Sequence, residues 1–295
     1  MSDFTDGTWQ SADGLRLHYR DYSGGEGAGG EGRPPILCIP GLTRNARDFE
    51  GVAARLAGDW RVLALDLRGR GGSEKAANSA SYNPLVYLQD VQLLLGELGL
   101  SRVVLFGTSL GGLVSVFLAN AARAQVAGLL LNDVGPVIEE KGLETIRTYV
   151  GRYESWPTWA HAARALKEGQ GDRYPDWEMD DWIAHAKRAC RLTGSGKIVF
   201  DYDMAIAEPL KAPAPAMDLW PAFDALAGIP ALLVRGALSD ILAEPTAREM
   251  IARNPAMELV TVPRVGHAPT LEEPEAAAGI DRLLERVARA GGGAR

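Results

Sequence analysis

Two residues in this chain stand in settings that could turn a hydroxyl into a nucleophile. Ser109 lies in Gly107-Thr108-Ser109-Leu110-Gly111, and His267 lies in Val265-Gly266-His267-Ala268-Pro269-Thr270. A serine hydroxyl reacts poorly until a base removes its proton, and the base needs a carboxylate to fix its tautomer. His267 is the expected base, because it follows directly on the last strand pattern, where open sheets place ligand-facing groups. The other three histidines have simpler readings. His161 and His185 fall inside helical segments as polar-face residues, and His18 sits on the outward face of a short strand. Two carboxylates could supply the acid. Asp240 follows the strand before that of the histidine and keeps the order serine, acid, histidine; it is the expected partner. Asp133 follows the strand after that of the serine and reads more simply as a turn or capping residue.

The surroundings of Ser109 explain why this serine is singled out. Val103–Phe106 is a β-branched and aromatic run, and Leu113–Ala122 is a helix-length apolar segment. A sharp strand-to-helix turn between them strains the serine backbone, so its neighbours two positions away must lack bulk. The hydroxyl then stands clear of the strand, facing the positive end of the helix. Charge developing on an attacked carbonyl needs two aimed donors. The Leu110 amide, next after the serine, is one. The Leu42 amide is the other, in the turn Pro40-Gly41-Leu42 after another strand. Arg44, Trp156 and Trp159 are candidate substrate contacts, although a solvated helix start also accounts for Arg44. A small core of its own also accounts for the tryptophans.

Strand and helix patterns alternate on both sides of these residues. Short strands over Thr8–Gln10 and Gly14–Arg20 precede a low-complexity run, Ser23–Arg33, read as a flexible loop. Strands follow at Pro35–Ile39, Arg61–Leu65, Val103–Phe106 and Val126–Leu131, each with a helical stripe between it and the next. From residue 136 to 227 the alternation stops, and only helical segments and proline-rich joints are expected; Asp176–Arg191 is the clearest helix. Five of the seven tryptophans fall in that stretch. Strands return at Ala231–Val234 and Glu258–Val262, with helices over Thr246–Arg253 and Glu275–Ala288, before the tail GGGAR. Alternation of this kind predicts a mostly parallel sheet covered on both faces. The domain reading is one core of residues 1–135 and 228–295 with an insertion over 136–227.

Composition narrows the function. A net charge of -7 opposes a nucleic-acid or anionic-membrane surface, both of which need basic patches. The beginning of the chain has no basic flank and apolar core of a secretory signal, and no apolar run approaches a membrane span; the expected location is cytoplasmic. Two cysteines, Cys38 and Cys190, could form one bridge at most, and Cys38 reads as a small hydrophobe in a buried strand. No metal cluster, nucleotide loop or cofactor is implied, and the expected partner is a small molecule.

The serine turn, Asp240, Gly266-His267, Pro40-Gly41-Leu42 and the loop Asp66-Leu67-Arg68-Gly69-Arg70-Gly71 together resemble the α/β-hydrolase family. The match covers about residues 8–135 and 228–290. It implies an α/β-hydrolase fold with an eight-stranded, mostly parallel sheet flanked by helices, and residues 136–227 correspond in position to the family's helical lid. A serine in the turn, where haloalkane dehalogenases and epoxide hydrolases carry aspartate, sets those two groups aside. The stretch Pro40-Gly41-Leu42-Thr43-Arg44-Asn45 lacks both the glycine-rich run of the carbon–carbon bond hydrolases and the His-Gly-Gly-Gly type of the hormone-sensitive-lipase-like esterases. What remains is similar to the esterase, lactonase and cofactor-free perhydrolase group. The resemblance therefore implies hydrolysis of a carboxylic ester or lactone through an acyl-serine, and the tryptophans of the insertion point to a small to medium, largely apolar substrate. The same triad could serve a carbon–carbon bond hydrolase or a perhydrolase, or persist as a binding site in a non-catalytic ligand receptor.

Overall fold

The computed structural model describes residues 4–23, 32–211 and 217–292. Most of the expected loop Ser23–Arg33 and the last residues of the tail lie outside them. Among the described residues eleven strands are formed: β1 Thr5–Gln10, β2 Arg16–Tyr22, β3 Ile36–Ile39, β4 Val62–Asp66, β5 Val103–Thr108, β6 Val126–Asn132, β7 Ser155–Trp156, β8 Cys190–Leu192, β9 Ile198–Phe200, β10 Ala231–Gly236 and β11 Met257–Val262. Eight of these build one sheet in the order β1-β2-β4-β3-β5-β6-β10-β11. Pairing is antiparallel from β1 to β2 and from β2 to β4, and parallel from β4 to β11. The six parallel strands therefore end on the same edge, which is where the chemistry-bearing loops emerge.

Every residue of β3, β4, β6 and β10 is buried. That is why these strands read in sequence as unbroken apolar runs, since a parallel sheet has no face turned to water. The helices are α1 Glu50–Leu56, α2 Pro84–Glu97, α3 Leu110–Ala121, α4 Glu140–Tyr149, α5 Trp159–Gln170, α6 Met179–Ala189, α7 Glu208–Lys211, α8 Trp220–Asp224, α9 Glu244–Arg253 and α10 Pro274–Gly292. Side chains alternate across the sheet. Leu37, Leu63, Leu105 and Leu129 pack towards α2 and α3, while Cys38, Ala64, Phe106 and Leu130 pack towards α1 and α10. No helix among the described residues is long and apolar enough to cross a membrane.

Between β6 and β10 the insertion departs from expectation. Alongside its helices it contains a three-stranded antiparallel sheet, β7-β9-β8. The helix expected over Asp176–Arg191 is shorter, starting after a capping box at Glu178 and Asp181 and ending at Ala189. It stops there because Cys190–Leu192 pairs with β9 instead. Trp182, Ala186, Leu166 and Tyr174 form the insertion's own core. Hydrogen bonds fasten it to the main sheet's loops at several points: Asn45 Nδ2 donates to the Arg188 carbonyl (2.9 Å), Tyr82 Oη to Asp203 (2.7 Å), and Gly71 N to the Asp201 carbonyl (3.2 Å).

Candidate active site

The register of β5 against β6 builds one half of the site. Thr108 pairs with Asn132, so the residues one step beyond, Ser109 and Asp133, leave neighbouring strand ends side by side. Both take a left-handed backbone, φ 52° at Ser109 and 55° at Asp133, a conformation non-glycine residues adopt only where the surroundings impose it. A Cβ on Gly111 would lie 2.0 Å from the Ile39 carbonyl oxygen, and one on Gly107 2.5 Å from the Gly111 carbonyl oxygen. Both positions therefore exclude any side chain, which is the physical content of the glycine spacing around Ser109.

His267 reaches this pair from β11, two strands away from β6. Its loop crosses the end of β10, where a Cβ on Gly236 would meet the Gly266 and Val265 carbonyl oxygens at 2.4 and 2.5 Å. The crossing brings His267 Nε2 to 3.0 Å from Ser109 Oγ and His267 Nδ1 to 2.7 Å from Asp133 Oδ2. Asp133 is wholly buried. Its carboxylate also accepts from the Ser239 hydroxyl at 2.6 Å and the Gly236 amide at 3.1 Å. With one carboxylate oxygen on Nδ1, the imidazole presents Nε2 to the serine, so the arrangement can draw the Ser109 proton onto His267 and hold the resulting imidazolium.

The acid beside His267 is thus Asp133, and Asp240 is placed elsewhere. Asp240 Oδ2 receives Arg173 Nη2 at 3.3 Å, and its Oδ1 is buried without a partner. Chain order pointed to the loop after β10, and that loop does touch the acid, but through Ser239. The available signal for Asp133 was positional, since it stands one residue past the end of β6 as Ser109 stands one past the end of β5.

Facing Ser109 are the turn after β3 and the start of α3. Neither the Leu42 nor the Leu110 amide donates to another group among the described residues. The Leu42 peptide is held from behind. Arg70, buried, donates from Nε and Nη2 to the Leu42 carbonyl at 2.9 and 2.7 Å, and from Nη1 to Tyr87 Oη at 3.1 Å. Nothing in the sequence marked Arg70 beyond its place in the Arg-Gly loop.

A cavity of about 310 Å³ opens over Ser109 and His267, at the lower end of the range for small-molecule sites. Of the candidate substrate contacts, Arg44 and Trp156 line it. Trp159 does not; it packs on the insertion core. His185, expected on a polar helix face, is buried and lines the cavity instead. Burial and the nearby Arg44 and Arg188 guanidiniums push its pKa well below the ordinary histidine value, so the ring is neutral. Among the described residues no group of three or more His, Cys, Asp or Glu side chains could hold a metal ion.

Residues 36–280 match the model of the alpha/beta hydrolase family. The chain belongs to the α/β-hydrolase family. Among solved structures it is similar to an alpha/beta hydrolase from Novosphingobium aromaticivorans, with 55% identity and a TM-score of 0.92 over 97% of this chain and 99% of that one. Among characterised sequences it is 36% identical to the 3-hydroxybutyrate-oligomer hydrolase of Cupriavidus necator, over 81% of this chain and 84% of the relative. It is 27% identical to the 2-(acetamidomethylene)succinate hydrolase of Mesorhizobium japonicum, over 82% and 84% respectively. These relatives are hydrolases, and the hydrolase class extends to this member of the family.

Proposed function

We propose that this α/β-hydrolase is a serine hydrolase of carboxylic esters, working through an acyl-serine, with short linear esters of hydroxy acids as its substrates. The observation that carries the reading is the unbroken line of hydrogen bonds from Asp133 through His267 to Ser109. His267 takes the Ser109 proton as Oγ attacks the ester carbonyl, then returns it to the departing alkoxide. Water attacks the acyl-enzyme by the same route and frees the acid. The Leu110 and Leu42 amides receive the carbonyl oxygen as it gains charge in each half. Residues 136–227 act as the lid that closes the cavity over the substrate. Similarity to a 3-hydroxybutyrate-oligomer hydrolase supports the hydroxy-acid class, and a cavity of about 310 Å³ suits a substrate of that size. Lactones present the same carbonyl and fall within the same chemistry.

The test is hydrolysis of p-nitrophenyl butyrate and of 3-hydroxybutyrate dimer by native and Ser109→Ala protein. Release of p-nitrophenol and of free 3-hydroxybutyrate by the native protein alone is the expected result. No turnover by folded native protein would remove the ester reading.

A further inference from the structure

Away from Ser109 the cavity wall is cationic. Arg44, Arg152, Arg173 and Arg188 line it, against the two acids Asp48 and Glu154. Three of these arginines are braced by carboxylates. Arg44 makes a two-pronged contact with Asp48 at 2.7 and 2.5 Å, Arg173 reaches Asp240 at 3.3 Å, and Arg188 reaches Glu272 at 2.7 Å. Each such contact uses only part of a guanidinium's five donors. The bracing fixes the heads while leaving N–H groups for something else. Glu272 and Asp240 do not themselves line the cavity, whereas Arg188 and Arg173 do.

Arg44 stands close to the serine turn. A Cβ placed on Gly41 would sit 3.5 Å from Arg44 Cγ and 3.7 Å from Ser109 Cβ. His185 lines the same part of the wall, near Arg44 and Arg188. Its side chain is more than nine-tenths buried, and its Nε2 has no hydrogen-bond partner among the described residues. That nitrogen has no surface open to the cavity, so His185 meets the cavity through the rest of its ring. The ring is flanked by Tyr174, Trp177 and Trp182 at centroid separations of 6.3, 5.3 and 5.9 Å, which supply no acceptor on their faces. Two braced guanidiniums beside a neutral imidazole suit one kind of group: an anionic, planar, multi-acceptor head.

We infer that Arg44 and Arg188, beside His185, form a carboxylate-binding pole, so that the preferred substrate is an ester bearing a free carboxylate a few bonds from the carbonyl that Ser109 attacks. The inference rests on the ester-hydrolase reading and adds to it the charge that the substrate must carry. A linear 3-hydroxy-acid dimer has that form, with its terminal carboxylate on the alcohol side of the internal ester.

The experiment compares 3-(butyryloxy)butanoate with its neutral amide, which keeps the same ester and removes only the charge. Native protein is expected to show kcat/KM at least about tenfold higher for the acid, as charge-assisted pairing in a partly enclosed site supplies. In Arg188→Gln the ratio of acid to amide falls towards one, and in Arg188→Lys part of it returns, which a purely structural role for Arg188 would not produce. A second readout does not depend on turnover: calorimetric binding of both compounds to Ser109→Ala protein, where the acid should bind at least about tenfold more tightly. Equal kcat/KM for acid and amide, or equal binding to Ser109→Ala, overturns the carboxylate pole. Hydrolysis of neither compound together with selective binding of the acid overturns the ester reading and upholds the pole.

Discussion

At the scale of single residues, the carboxylate beside His267 carries the sharpest expectation. Asparagine at position 133 keeps the shape but can present an amide hydrogen to Nδ1, selecting the wrong tautomer. Asp133→Asn should therefore lower kcat by roughly four orders of magnitude, on the precedent of other serine triads. Asp240→Asn touches only Arg173 and should stay within about tenfold of native. Steady-state kinetics of both variants on one ester decide the matter, and a larger loss for Asp240→Asn would reverse the assignment. His185 gives a different expectation, in stability. Its folded pKa lies well below the unfolded value of about 6.5. Below that pH the unfolded chain takes up a proton that the folded one refuses. The contribution is therefore complete above pH 6.5 and is lost as pH falls towards the folded pKa. Chemical denaturation from pH 8 to pH 5 should show a steeper loss for native protein than for His185→Gln. Ser109 and His267 were legible because their neighbours in sequence are the neighbours that matter. Asp133 was not, since what recommends it is the pairing of Thr108 with Asn132 across two strands, and pairing register is not written in either strand alone.

At the scale of elements, two buried arginines from one short loop do different work. Arg68 is almost wholly buried and meets Asp90 of α2 through two contacts of 2.8 Å, with Asp13 from the hairpin turn at 2.9 and 3.0 Å. The pairing holds the partly exposed Asp13 carboxyl down at about 2, through hydrogen bonds from Arg68 and then Ser11. Arg68→Met would strand the Asp90 carboxylate in the core, and a loss of about 3–5 kcal/mol in urea unfolding is expected. Arg70 by contrast holds the Leu42 carbonyl. Arg70→Met removes the donor that holds the carbonyl of Leu42, and so loosens the residue whose N–H is proposed to receive the substrate carbonyl oxygen. It should lower kcat by roughly 10- to 100-fold with a smaller change in KM, because the donor matters most once charge develops. A change confined to KM would show that this peptide does not serve the transition state. The main strands were legible for a simple reason: β3, β4, β6 and β10, buried on both faces, must be largely apolar. The strands of the insertion were not, because β7 has two residues and β8 and β9 three each, too few for a period of two to declare itself.

At the scale of the whole molecule, the site is a meeting of loops from distant parts of the chain, and close backbone crossings fix where they meet. Gly236→Ala puts a methyl group onto two carbonyl oxygens of the histidine loop, atoms that cannot rotate aside. The variant should keep its circular dichroism spectrum while losing most activity on every ester tried, since His267 is displaced whatever the substrate. Retained activity would mean that the loop can cross by another path. The resemblance to the family named the serine, histidine and Pro40-Gly41-Leu42 loops; it named neither the loop after β6 that brings Asp133 nor the way the insertion joins them.

That junction has a mechanical consequence. The Gly266 amide donates to the Arg173 carbonyl at 2.6 Å, and Tyr174 Oη donates to the Ala268 carbonyl at 2.9 Å. The insertion therefore grips the chain immediately before and immediately after His267. Cavity wall and proton carrier are one linkage. An outward swing of the wall that kept these two bonds would draw the imidazole off Ser109, and the serine would fall idle until the wall returned. Opening and reactivity would then be mutually exclusive, a safety catch set by two hydrogen bonds.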